Sequence, residues 1–257
     1  MKKALIGYTG FVGSSLADQT EFNSYYRSLN ISEIDNEEFD IVVCAGAPGQ
    51  KWKANKFPEV DLESINNLIS HIGTVKCRKF VLISTVDVFH EPINVYEDSE
   101  IADNSLNHYG KNRLLLESFV KQHFGDYLIV RLPGLVGRNL KKNIVYDFFH
   151  SNNLDAIDSR NVFQFYPMSN LWADIQVAIE KNIEIVHLTS EPISVFEVAS
   201  RAFSLEFNNH INTFRPISYD FKSKYISSYN KIGEYLYSKD DVIKEIHAYI
   251  AHEQEKS

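Results

Sequence analysis

An α/β fold around a mostly parallel sheet is predicted by three observations. Short apolar runs recur along the chain, each is followed by a longer stretch with helical spacing, and several runs are apolar on both faces, as strands covered by helices on each side must be. The runs are residues 4–8, 24–27, 41–45, 80–84 and 127–132, with 183–188 a later candidate. Between them lie residues 11–19, 58–75 and 106–124. In the second of these, Leu62, Ile65, Leu68, Ile69 and Ile72 fall on one helical stripe, and Leu114, Leu115, Phe119 and Val120 form a similar array in the third.

Beyond Pro133 the regularity loosens. Residues 142–150, 169–181 and 195–203 read as helices and 163–166 as a strand-like fragment, which predicts a smaller layer packed on the sheet. The expected division is a core over residues 1–133, with later contributions from about 169–190, and a smaller region from 134–168 and 191–257. Tyr225, Tyr229, Tyr235 and Tyr237 could form an aromatic surface for a partner chain, but aromatics usually fill cores, and ordinary packing is the expectation.

Composition bounds the function. The 257 residues and 29.6 kDa are enough for a large core, and 44% hydrophobic with 23% charged residues is an ordinary globular balance that excludes disorder. A net charge of −8 with 26 scattered basic residues argues against a nucleic-acid partner, which needs a clustered cationic face. Cys44 and Cys77 offer neither a disulfide framework nor metal-ligand spacing, so the expected compartment is reducing and cytoplasmic, with no metal. No apolar stretch reaches the length of a membrane span, and the apolar run begins too soon after Met1 for a signal peptide.

The most informative segment is the first strand-to-helix junction, which reads Gly7, Tyr8, Thr9, Gly10, Phe11, Val12, Gly13. A dinucleotide site needs glycine where the turn is tight, where the backbone approaches a pyrophosphate and where helix meets strand, and it uses the donors and positive dipole end of the helix N-terminus. All three demands fall at the right place in a βα chain, so the expected architecture is a Rossmann-like doubly wound parallel sheet. An acidic residue should end the second strand to hold an adenosine ribose, and none is there. Arg27 and Ser28 stand instead, suited to a 2′-phosphate, so NADP is favoured over NAD; Arg27 as a solvated surface residue is the other reading, because the helix and strand that should follow look abbreviated.

These residues resemble the extended short-chain dehydrogenases/reductases, the NAD(P)-dependent sugar-nucleotide epimerases, dehydratases and reductases, over nearly the whole chain. The matching motifs are the GxxGxxG turn at Gly7, Gly10 and Gly13, an Ala-Gly strand end at Cys44, Ala45 and Gly46, a Ser/Thr pair before a VF dipeptide at Ser84, Thr85, Val88 and Phe89, and Arg131 with Gly137. The resemblance implies that Pro133 and Gly134 approach the nicotinamide amide. Residues 171–179 and 192–198 are similar to later family segments, and the C-terminal part would be a small substrate-binding region.

One motif departs from the pattern. The family's YxxxK helix is matched by Tyr109, Gly110, Lys111, Asn112 and Arg113, with arginine where lysine is expected. Residues i and i+4 share a helical face and i and i+2 do not, so Arg113, not Lys111, lies beside Tyr109. The resemblance implies Tyr109 as acid/base, Arg113 as the cation that holds the cofactor and lowers the phenol pKa, and Thr85 with Ser84 orienting the substrate oxygen. In the competing reading Arg113 pairs with Glu117 on an exposed face and the site has decayed. Val86 and Asp87 stand where dehydratase relatives carry Asp and Glu, which makes elimination of water a poorer fit than reduction, oxidation or epimerisation.

Lys141, Lys142 and Arg215 are candidates to touch the nucleotide half of a substrate, or else solvated surface cations. Two functions therefore compete: an oxidoreductase or epimerase acting on a secondary alcohol or ketone of a sugar nucleotide, and a non-catalytic dinucleotide-binding module that kept the fold. A homodimer is compatible with either.

Overall fold

The structure is a computed structural model that describes residues 1–212 and 215–256. The chain divides into two compact units. The first comprises Met1–His90, Ser99–Arg131 and Trp172–Val186; the second comprises Glu91–Asp98, Leu132–Leu171 and His187–Ser257, so that residues 91–98 go with the second.

The first unit opens with β1 (Lys3–Ile6), α1 (Phe11–Gln19), β2 (Ser24–Tyr26), β3 (Glu38–Cys44), α2 (Lys51–Lys56), α3 (Pro58–Ile72), β4 (Lys76–Thr85) and α4 (His108–His123). The strands Tyr127–Leu132 and Ile185–His187 complete a six-stranded sheet, whose order is β2, β1, β3, β4, Tyr127–Leu132, Ile185–His187. β1 runs parallel to both β2 and β3, with Ala4 opposite Ser24 on one side and Val42 on the other, and β3 runs parallel to β4. Ala4, Leu5 and Ile6, Val42 to Cys44 and Phe80 to Leu82 are all buried, as strands covered on both faces require. Only a 3₁₀ turn, Ile31–Ile34, separates β2 from β3, so the expected abbreviation is real and β3 pairs directly with β1. The chain leaves β1 first to one side and then to the other, which puts the topological switch point between the C-terminal ends of β1 and β3.

Helix α3 starts with Pro58 and carries Glu59 and Asp61 in its first turn, favourable at a helix N-terminus. Its Ile65, Leu68 and Ile72 pack into a core with Ile6, Val42, Phe80 and Leu82, which Leu116, Val120 and Ile129 close. The strand expected over 24–27 stops at Tyr26, leaving Arg27 just past its end.

The second unit holds three two-stranded pairings. Gly134–Val136 runs parallel to Phe165–Pro167, Val162–Phe163 antiparallel to Ile193–Ser194, and Ile93–Val95 parallel to Asp220–Phe221. Buried Gln164 ties the unit together, donating to Thr189 Oγ1, Ser190 O and Phe221 O and accepting from the Phe221 amide. Its helices are Ile144–Phe149, Val195–Phe203 and Lys239–Glu255, the last of which the sequence reading did not single out. The four tyrosines are half-buried: Tyr235 donates to Asp220 at 2.6 Å and the Tyr237 ring lies edge-on to Tyr166. Among the described residues no helix is long and apolar enough to cross a membrane.

Candidate active site

The glycine turn sits at the switch point. Gly7 has φ +85°, and a Cβ there would lie 2.3 Å from the Ala45 carbonyl oxygen; a Cβ on Gly13 would lie 2.1 Å from that of Gly7. Tight turning and close helix-to-strand packing thus dictate both residues. Gly10 is different. A Cβ on it would meet only the Gly7 oxygen at 3.3 Å, so little in the protein itself demands glycine there. Gly10 is the N-cap of α1, with no side-chain cap and no acidic residue in the first turn, which leaves the positive end of the helix at Phe11 and Val12 unneutralised. The turn is tied to both neighbouring strands, Gly7 donating to Tyr26 O at 2.7 Å and Ala45 to Ile6 O at 2.9 Å, with Gly46 following. These are the features a pyrophosphate cradle needs. Arg27 is exposed beyond β2, and its amide donates to Asn30 Oδ1 at 2.8 Å.

The second cluster gathers around the start of α4. Asn107 caps the helix by accepting from the Gly110 amide at 3.0 Å, and the Tyr109 amide donates to Asn55 Oδ1 of α2 at 3.0 Å. A Cβ on Gly110 would lie 2.2 Å from the Asp87 carbonyl oxygen, so α4 docks on the turn after β4 at a distance that only glycine permits. Thr85, at the end of β4, accepts from the Asp87 amide at 3.1 Å, and its hydroxyl lies near enough to the Tyr109 phenol to act on its pKa. Burial pushes the phenol pKa above its ordinary value of 10; Arg113 pulls it down, Asp87 raises it, and the Thr85 hydroxyl and Lys51 lower it.

Arg113 does lie beside Tyr109, its guanidinium 4.1 Å from the ring centroid. It is buried, and it donates to Asp61 of α3 and to the Pro48 carbonyl. Asn112 donates to the same Asp61 oxygen at 2.8 Å, while the Arg113 Nε is buried without a hydrogen-bond partner. The reading that paired Arg113 with Glu117 on an exposed face is therefore corrected. Both residues point inward, and each finds its partner on another element. Glu117 accepts from Arg131 Nε at 3.0 Å, from Arg131 Nη2 at 2.7 Å and from the Ser84 hydroxyl at 2.6 Å. Ser84 is thus engaged with Glu117, and Thr85 is the one of the two hydroxyls that reaches Tyr109. Lys111 is exposed.

Several members of this cluster escaped the sequence reading: Asn55, Asp61, and Lys51, whose Nζ lies 2.8 Å from Asp87 Oδ1. Asp61 carried a signal, because positions 61, 65, 68 and 72 form the buried face of α3 and an acidic residue on an apolar stripe calls for a buried partner. Cys44 plays no visible part, burial pushing its thiol up to about 11.

The other singled-out residues lie in the second unit. Pro133 is buried, and Gly134 opens the strand paired with Phe165–Pro167, where a Cβ would lie 2.9 Å from the Gln164 carbonyl oxygen. Lys141 and Lys142 are exposed and precede Asn143, which caps Ile144–Phe149 by accepting from the Val145 amide at 2.9 Å. Arg215 is exposed.

No known sequence family matches the chain, and no curated protein does. Solved structures match it closely in fold. A UDP-glucose 4-epimerase from Thermotoga maritima, solved with UDP-glucose, superposes with a TM-score of 0.77 at 13% identity over 100% of this chain and 99% of that one. A dTDP-4-dehydrorhamnose reductase from Yersinia enterocolitica gives 0.72 at 20% identity over 98% and 99%. A Bordetella bronchiseptica enzyme in complex with NAD gives 0.76 at 14% identity over 98% and 94%. The fold is the one that the glycine turn and the resemblance implied.

Proposed function

We propose that the chain is an NAD(P)-dependent oxidoreductase or epimerase acting on a secondary alcohol or ketone of a sugar nucleotide, with Tyr109 as acid/base. The observation that carries this reading is the meeting of Thr85 and Tyr109: two elements bring a hydroxyl and a phenol together at the C-terminal end of β4, on the edge of the sheet where open α/β folds bind ligands. The fold shared with sugar-nucleotide epimerases and reductases supports the substrate class.

The first unit is the dinucleotide-binding part. Gly7, Gly10, Phe11, Val12 and Gly13 would hold the pyrophosphate, with Ala45 and Gly46 beside them and Arg27 at the 2′-phosphate of NADP. In the second unit, Pro133 and Gly134 would serve the nicotinamide amide, and Lys141, Lys142 and Arg215 the substrate. Bound, the dinucleotide supplies or accepts a hydride. Tyr109 moves the accompanying proton to or from the substrate oxygen, and Thr85 orients that oxygen. The two unpaired cysteines suit a reducing, cytoplasmic setting.

One observation favours the non-catalytic alternative: Arg113 directs its terminal donors at Asp61 and Pro48, so they are committed inside the protein. Tyr109→Phe separates the two. It should reduce turnover of a 4-keto or 4-hydroxy sugar nucleotide by about 10²–10⁴-fold while NADPH binding, followed by fluorescence, stays near that of the parent. Binding without turnover in the parent itself would favour the module. In the same titration NADPH should bind more tightly than NADH, and Arg27→Ala should erase most of that difference.

A further inference from the structure

Residues 45–50, between β3 and α2, have no regular structure, and their first members pack on the glycine turn. A Cβ on Gly7 would lie 2.3 Å from the Ala45 carbonyl oxygen and 2.8 Å from the Gly46 nitrogen. The far end of the segment is less supported. Pro48, Gly49 and Gln50 are exposed, and a Cβ on Gly49 would meet nothing within 4 Å. Yet a buried side chain reaches this exposed stretch: Arg113 donates to Asp61 of α3 with one terminal nitrogen and to the Pro48 carbonyl with the other. The Arg113 and Asp61 side chains are only 3% and 5% exposed, and Asn112 donates to the same Asp61 oxygen at 2.8 Å. One turn earlier on α4, the Tyr109 amide donates to Asn55 Oδ1 of α2 at 3.0 Å, a second tie on the same stretch of chain.

We propose, resting on the dinucleotide-binding reading above, that Arg113 is a positioning residue for the dinucleotide: it acts through residues 45–50, which it holds against the glycine turn, and Asp61 fixes the guanidinium for that task. The planar fork spans two acceptors from two nitrogens, one on α3 and one on the loop. A lysine ammonium is a single point on a shorter arm and cannot span both. A ligand that needs the held arrangement of a loop loses apparent affinity in proportion to the fraction of molecules that leave it, so the clamp is read in the dissociation constant without any contact between Arg113 and the ligand. A guanidinium that was itself a ligand of the dinucleotide would behave with the opposite sign. Releasing it from Asp61 would then strengthen binding of the anion, whereas releasing a clamp weakens it.

The test takes the full chain through two measurements: hydrogen exchange without dinucleotide, read over residues 45–56, and an NADPH titration by fluorescence. Arg113→Lys should speed exchange in that segment and weaken NADPH binding by about tenfold. Asp61→Asn leaves the Pro48 bond but frees the guanidinium to move, and should weaken binding by about threefold, with a smaller rise in exchange. Val120→Ala, a cavity in the buried face of the same helix, controls for lost stability: it should lower the urea midpoint and leave both readouts near those of the parent. Exchange over residues 45–56 that Arg113→Lys does not move, tighter NADPH binding in Asp61→Asn, or a Val120→Ala loss of affinity as large as that of Arg113→Lys overturns the inference. If the single variants at 61 and 113 do not fold, Asp61→Asn combined with Arg113→Gln, which strands no charge, carries the same two readouts, and unmoved exchange there overturns it. A parent that binds neither NADPH nor NADH overturns the dinucleotide reading and this inference with it, whereas a parent that binds, with exchange unmoved in the variants, overturns the inference alone.

Discussion

Helix α4 carries two charged residues one turn apart, Arg113 and Glu117, and each sits in a buried ion pair, yet the two pairs are built differently. Glu117 and Arg131 are fully buried, joined through two guanidinium nitrogens, and the spare capacity of the carboxylate is taken up by Ser84. Arg113 and Asp61 are almost as buried, but Arg113 leaves its Nε without a partner and lays its guanidinium face on the Tyr109 ring. The first pair anchors α4 to β4 and to the strand Tyr127–Leu132. The second lies against the Tyr109 ring and leaves one buried donor unsatisfied. A buried pair whose carboxylate is fully engaged suits a purely structural part, whereas one that keeps unmet capacity beside a titratable side chain is where the proposed site would be found.

The largest effect on stability should come from breaking the fully buried pair. Glu117→Ala strands Arg131 in the core and should cost about 3–5 kcal/mol, read as a fall in the urea midpoint. Asp61→Ala strands Arg113 too, but the Tyr109 face and the Pro48 carbonyl still receive the guanidinium, so the loss should be smaller, about 2–3 kcal/mol. Equal losses would erase the distinction between the pairs. The smallest effect tests the frame that holds the open pair: Asn107→Ala removes the cap of α4 and should cost about 1 kcal/mol, with a larger fall in turnover than in stability if Tyr109 is displaced. A stability loss with unchanged turnover would show that the cap serves only the helix.

Much of this architecture was legible because it rests on local rules. Runs of residues apolar on both faces marked the sheet strands, the i, i+4 rule placed Arg113 rather than Lys111 beside Tyr109, and the glycine spacing marked the first βα turn. The helix Lys239–Glu255 was legible too, although it went unread. Ser238 and Asp241 form a capping box ahead of it, and Val242, Ile243, Ile246 and Tyr249 make its buried face. What could not be read was partner choice. The i, i+4 rule offered Glu117 to Arg113 and Arg113 to Glu117, and both found better partners elsewhere.

The chain's own sequence determined the elements, the glycine turn and the face on which Tyr109 and Arg113 stand, because these follow from backbone sterics and helical period, which act over a few residues. Only the tertiary structure decided which charges meet. Asp61 lies 52 residues from Arg113 and Arg131 lies 14 from Glu117. Those contacts arise when β-strands bring α3, α4 and the sheet to packing distance, where leaving a buried charge unpaired costs more than any local preference can offset.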